Sequence, residues 1–173
     1  MTFALVGGNV ALDLVNTVQH RNTDPSDMLA GPGDLSRWLV AARVVDGPAK
    51  AGRDDFDAAL RLREAVYRLA TGGATAADRR LVNRTAKDVP VRVRLAKDGS
   101  ITRTGDAAAA IATVARAAVE LLAGDFASAV KECAADDCTL LYVDNSRRGS
   151  RRWCDMRGCG NRAKVASFRA RHA

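Results

Sequence analysis

The residues best suited to chemistry are four cysteines: Cys133, Cys138, Cys154 and Cys159, with none in the first 132 positions. Their spacing is C-x4-C-x15-C-x4-C. Each close pair, held by a tight turn, presents two sulfurs to one ion. Two pairs complete a tetrahedron. The pattern predicts one Zn²⁺ held by all four thiolates. Iron and unligated buried thiols are the alternatives, because four sulfurs also suit iron. With every coordination position taken by sulfur, such an ion is structural rather than catalytic. A short module buries little core, so the metal is expected to supply much of its folding energy. Chelation is then expected to melt residues 131–173 and spare the rest.

Charge follows the cysteines. The 173 residues carry 27 Lys+Arg and 20 Asp+Glu, a net charge of +7. Residues 145–173 hold nine of the bases against Asp155 alone, a net charge of +8, and the first 144 residues sum to −1. Four thiolates around Zn²⁺ bring the whole chain to +5. This asymmetry points to a polyanion partner. Arginine forks match phosphates. The candidate nucleic-acid contacts are therefore Arg147, Arg148, Arg151 and Arg152 before the third cysteine, and Asn161, Arg162, Lys164, Arg169 and Arg171 on a terminal helix. Val165 and Phe168 form that helix's apolar ridge, and Trp153 is read first as packing beside the metal. Only 8 aromatic residues are present, few for single-strand stacking platforms. Duplex DNA is the expected partner. A protein-interaction module docking on transcription machinery and a non-specific RNA or DNA binder are the alternatives.

The elements that must position these groups read as α+β: a mainly helical N-terminal domain with a small β-hairpin (1–126), then a treble-clef-like zinc finger (127–173). Residues 3–6 read as a short strand. Asn9 caps a helix whose apolar stripe is Ala11, Leu14, Val15 and Val18. Asp34 caps a second helix. Residues 54–70 form the clearest helix, with Asp57–Arg61 and Glu64–Arg68 at ion-pair spacing, closed by Gly72. Thr75 and Asp78 start another. After Pro90, Val91, Val93 and Leu95 alternate with polar residues, and Lys97-Asp98-Gly99-Ser100 supplies a hairpin turn. Asp106 caps an alanine-rich helix that stops at Gly124. In the finger, residues 139–143 and the stretch before Cys154 read as the two strands of a hairpin.

One further set of polar residues stands out. Asn9, Asp13, Asn16 and His20 form a column beside Thr17. Asp and Asn are poor helix-interior residues. The column is a candidate small-molecule effector site, or a solvated face, or Asp13 and Asn16 tying down a neighbouring loop. No Ser-His-Asp order, HExxH, Walker loop or GxGxxG is present, so no enzyme is expected. No apolar run reaches membrane-span length and no basic segment precedes residues 3–6, so a cytoplasmic location without membrane association is expected. Two-fold pairing would double the contacts of one small finger, so a homodimer is a further expectation.

The segment Cys138-x3-Tyr142-Val143-Asp144-x-Ser146-Arg147-x3-Arg151-Arg152-Trp153-Cys154-x-Met156-x2-Cys159-Gly160-Asn161-Arg162-x-Lys164 resembles the CGNR zinc finger. Val6-Gly7-Gly8-x2-Ala11-Leu12-Asp13-Leu14-Val15-Asn16-Thr17 resembles the start of the ABATE domain that usually precedes it. Tyr142 stands where Phe is common, and Asp155 where Ser is common. The resemblance implies a bacterial, stress-linked transcription regulator whose finger binds DNA and whose N-terminal domain senses a ligand.

Overall fold

The structure is a computed structural model and describes residues 2–172. It is α+β. Helices dominate, and the strands form three separate two-stranded antiparallel sheets. No helix among the described residues is long and apolar enough to cross a membrane.

Helix α1 (Val10–Val15) lies at the centre. Asn9 caps it by accepting from the Ala11 N–H, and Ala11, Leu12, Leu14 and Val15 are buried. It packs against α3 (Arg53–Thr71) and α5 (Ala107–Ala123). The apolar period predicts a longer helix, but the chain turns away at Asn16. The Thr17 hydroxyl donates to the Leu14 carbonyl, 2.7 Å, and His20 adopts a left-handed φ of 54°. Two short strands follow, β1 (Val18–Gln19) pairing with β2 (Ser26–Asp27). Residues 3–6 form no strand. Ala4 and Val6 instead pack against the cysteine cluster.

Helix α2 (Pro32–Ala41) starts earlier than Asp34 predicts. Pro32 takes the first turn, where its missing N–H costs nothing. The Asp34 carboxylate sits one turn in and accepts from the Ala30 and Gly31 N–H groups. Helix α3 covers the predicted span and ends at Gly72, whose φ of 86° suits glycine. The expected Asp57–Arg61 and Glu64–Arg68 pairs give way to others, two of them within α3 and two to residues outside it. Arg53 takes Asp57, Arg21 and Arg63 take Glu64, and Arg68 takes Asp78. Helix α4 (Ala76–Thr85) begins with the capping box of Thr75 and Asp78. The hairpin β3 (Arg92–Leu95) and β4 (Ile101–Thr104) matches the predicted alternation, and Asp106 caps α5.

The core of this body includes Leu12, Leu14, Leu35, Trp38, Leu39, Leu62, Val66 and Val114. Each such side chain contributes roughly 1.5–3 kcal/mol by leaving water. Two members of the same core, Leu141 and Val143, come from the cysteine module. The module is therefore packed into the body rather than tethered to it.

Candidate metal centre and nucleic-acid interface

A 3₁₀ turn (Asp125–Ala129) leads from α5 into β5 (Val130–Glu132), which pairs with β6 (Leu141–Val143). Cys133 and Cys138 lie in the loop joining these strands. Cys154 precedes a π-turn (Met156–Gly160) that holds Cys159 and runs into α6 (Asn161–His172). Asp155 caps the turn by accepting from the Gly158 N–H at 3.0 Å. The hairpin differs from the sequence reading. The partner of β6 is β5, ahead of the first cysteine, and residues 151–154 are not a strand. Their backbone is held by separate hydrogen bonds rather than a ladder, among them Ala134 N–H on the Arg152 carbonyl and Cys154 N–H on the Cys133 sulfur.

All four sulfurs lie within 4.8 Å of one another and are buried, with no disulfide among them. A tetrahedron with Zn–S bonds of about 2.3 Å has sulfur–sulfur edges of about 3.8 Å. Cys138 Sγ to Cys154 Sγ and Cys154 Sγ to Cys159 Sγ are each 3.8 Å. The donor set and its spacing fit one zinc ion. That ion would offset half of the thiolates' charge and tie the β5–β6 loop to the base of α6. Without a cation the cluster cannot be fully ionised. Cys138, accepting from the Cys154 thiol, is lowered to about 5. Cys154 is raised by that same contact and by burial, and Cys159 is raised by burial. Arg162 donates to Cys159 Sγ at 3.2 Å, supporting a thiolate there.

Two residues brace the loop between Val143 and Cys154. Asp144 is buried and accepts from the Ser146 N–H and hydroxyl, from the Arg151 N–H and from Lys131 Nζ. The ammonium of Lys131 foremost holds its carboxyl well below the usual range. Arg151 corrects the sequence reading. Its guanidinium turns inward, donating to the carbonyls of Trp153, Val143 and Cys154 while lying 4.3 Å over the Tyr142 ring. Tyr142 in turn donates to the Arg151 carbonyl at 2.7 Å. The Trp153 and Cys154 carbonyls need donors just ahead of the π-turn, and one arginine fork supplies them, while the Val143 carbonyl also accepts the Asn145 N–H at 3.2 Å.

The polar column of α1 is joinery. Asn16 is buried and bonds the Leu141 backbone on both sides: Nδ2 donates to its carbonyl and Oδ1 accepts its N–H, each at 2.9 Å. The Gly7 carbonyl accepts the Val143 N–H at 2.8 Å. Strand β6 is thus flanked by β5 on one edge and by body groups on the other. Asp13 accepts the Gly7 N–H at 2.8 Å, and burial pushes its carboxyl up to about 6. Asn9 donates to Ala117, and Thr17 accepts from the buried Arg63, which also forks onto Asp27. His20 Nδ1 donates to the Asp137 carbonyl, and the Arg21 N–H to Thr139 Oγ1. These residues hold loops and the cysteine module, in place of the effector site the column suggested. Only His20 of the set borders one of the cavities described here, a cleft of about 320 Å³ that also touches Cys138, Cys154, Cys159 and Arg162. A larger, mostly apolar cavity of about 760 Å³ lies between Phe3, Leu5 and α2 residues Arg37 and Val40. Sequence periodicity carried no sign of it.

The remaining basic residues face outward. Arg147 and Arg148 sit on the loop after β6, Arg152 lies 5.3 Å over the Trp153 ring, and Arg157 is on the π-turn. Lys164, Arg169 and Arg171 project from α6, none of whose described residues is buried. None of these seven pairs with an acid among the described residues. Asn161 opens α6 and is exposed, while Arg162 is exposed but forked onto Asp137 at 2.9 and 3.1 Å.

Comparison with protein families gives two matches. Residues 8–125 match ABATE, described as "Putative stress-induced transcription regulator", and residues 129–172 match the CGNR zinc finger. Neither is an enzyme family. No curated protein matches the chain. With four cysteines placed to hold one zinc ion, and two thirds of its length matched by the first family, the chain belongs to the ABATE family and carries a C-terminal CGNR zinc finger.

Proposed function

We propose that this protein is a zinc-dependent, DNA-binding transcription regulator. In this reading Cys133, Cys138, Cys154 and Cys159 hold one structural zinc, and residues 127–173 contact duplex DNA. The observation that carries it is the division of labour among the finger's arginines. Arg151 is spent on the finger's own carbonyls, while Arg147, Arg148, Arg152 and Arg157, with Lys164, Arg169 and Arg171 of α6, stay exposed and pair with no acid among the described residues. A solvated tail needs no such ordered display. Phosphate contacts position a protein on a duplex, and groove contacts specify sequence. Asn161 and the ridge of Val165 and Phe168 are the groups on α6 suited to base edges.

Residues 1–126 act as the sensor. The cavity beside Phe3, Leu5 and Arg37 replaces the α1 column as the candidate effector pocket; its lining, in which Arg37 is paired with Asp34, suits a small, largely apolar molecule. The family description supports a link to stress, and the regulator acts in the cytoplasm, where cysteines stay reduced. A homodimer would double the contacts of one finger. The second reading, a zinc-stabilised module docking on an acidic protein, rests on the same exposed charge. Unbiased selection of bound duplexes by the zinc-loaded protein separates them. An enriched sequence supports the regulator, and failure to recover DNA supports the protein-docking reading.

A further inference from the structure

The body's near-zero charge conceals a second basic block. Residues 79–103 carry eight Lys+Arg against Asp88 and Asp98, a net charge of +6, whereas the rest of the first 144 residues sums to −7. Most of that block is presented on α4 and on the hairpin that follows it in the chain. Arg80 and Arg84 lie four residues apart on the exposed face of α4, and Lys87 follows its end. Like charges at this spacing weaken a helix unless an anion lies over them. On the hairpin, Arg92 and Arg94 share one face with their cross-strand partners Thr104 and Thr102, while Val93, Leu95 and Ile101 take the other. None of these five cations pairs with an acid among the described residues.

The hairpin is held at its base. Val91 is buried and its N–H donates to Thr113 Oγ1 at 2.9 Å. The Arg103 backbone exchanges two hydrogen bonds with Asp46, N–H to Oδ2 at 2.6 Å and carbonyl from the Asp46 N–H at 3.1 Å. Those bonds cover the β4 edge and fix the ribbon's direction. A two-stranded ribbon fits the major groove. Alternate strand residues stand about 6.8 Å apart, twice the rise per nucleotide of one DNA strand. The arginine forks and the Thr104 hydroxyl are phosphate donors, while the Thr102 hydroxyl donates to the Arg94 carbonyl at 3.4 Å.

We infer that the β3–β4 hairpin, with the exposed face of α4, is a second duplex-backbone contact, independent of the zinc finger. The inference rests on the duplex-binding reading for its partner class. It gives the body a direct part in binding, so an effector bound there could reach DNA without moving the finger.

The test uses the zinc-loaded full chain and a random-sequence duplex of about 30 base pairs. Affinity is measured against salt for wild type, R92Q/R94Q and R147Q/R148Q, with thermal melting as the control for folding. Losing two phosphate contacts flattens the log–log salt slope by about 1.8. If the lines meet at 1 M salt, that is a loss of about 30-fold at 0.15 M. R92Q/R94Q is expected to show this change, with an unchanged melting temperature, and R84Q about half of the slope change. An unchanged slope in R92Q/R94Q while R147Q/R148Q weakens overturns the inference and leaves the finger reading intact. The reverse pattern supports the hairpin and overturns the finger. Absence of duplex binding by wild type overturns both. Vesicles containing phosphatidylserine serve as a further probe: loss of vesicle binding in R92Q/R94Q with duplex binding unchanged assigns the patch to membranes and overturns the inference.

Discussion

The side chain of Asn16 and the backbone of Leu141, 125 residues apart, exchange two hydrogen bonds of 2.9 Å in a buried position. Asn16 thereby does for the outer edge of β6 what a neighbouring strand would do. It couples the helical body to the cysteine module through a contact that uses the amide's donor and acceptor together.

Asn16→Ala leaves a buried N–H and a buried carbonyl without partners, at a cost of about 2–4 kcal/mol. Urea unfolding should report that loss. Asn16→Asp, which lacks the donor, should also destabilise, and faster amide exchange should appear at Leu141 and Val143 in both variants.

Zinc removal should reach beyond the finger. The sequence suggests that chelation spares the first 130 residues, but Leu141 and Val143 belong to the body's core. Chelation is expected to unfold residues 133–172 and to lower the body's melting temperature as well. Amide exchange with and without chelator measures both, and full protection of α1 after zinc loss would count against the shared core.

Arg151 and Arg147 should separate cleanly. Arg151→Ala removes charge-assisted bonds to backbone carbonyls near Cys154, and is expected to cost about 2–3 kcal/mol of finger stability. Arg147→Gln touches no such bond and should leave melting unchanged while reducing duplex affinity. Paired melting and binding curves for the two variants check this.

Asp13 gives the body a pH dependence. Its folded pKa of about 6 lies above the unfolded value of about 3.9, so the native state binds the extra proton between them. Stability from this group is therefore present at low pH and lost as pH rises through about 6. Relative to wild type, Asp13→Asn should gain about 2–3 kcal/mol between pH 4 and pH 7.5. The carboxyl carbon's NMR shift should titrate near 6, and a midpoint near 4 would remove the basis for this behaviour.

Much of this was legible in sequence where the signal is local. Thr75 with Asp78, Asp106 and Gly72 mark helix ends through their own hydrogen bonds and φ angles, and alternation marks β3 and β4. The cysteine spacing located the metal centre because a tetrahedron tolerates few loop lengths. What was not legible depends on distant partners. Whether Arg151 faces solvent depends on which carbonyls the π-turn leaves bare. Asn16 looked out of place in a helix because its partner lies 125 residues away, and that mismatch was itself the signal of a tertiary contact. The Glu64–Arg68 spacing predicts an ion pair, but Arg21, Arg63 and Asp78 offer each partner a better-held contact.

The central claim is that a zinc-held finger binds duplex DNA through exposed cations. Its most direct test is the affinity of the full chain for a duplex across a salt series, before and after zinc removal. The account predicts tight binding at low salt, a log–log slope of about −4 or steeper, and loss of most of that affinity on chelation. No binding at about 50 mM salt, or the same affinity and slope without zinc, would contradict it.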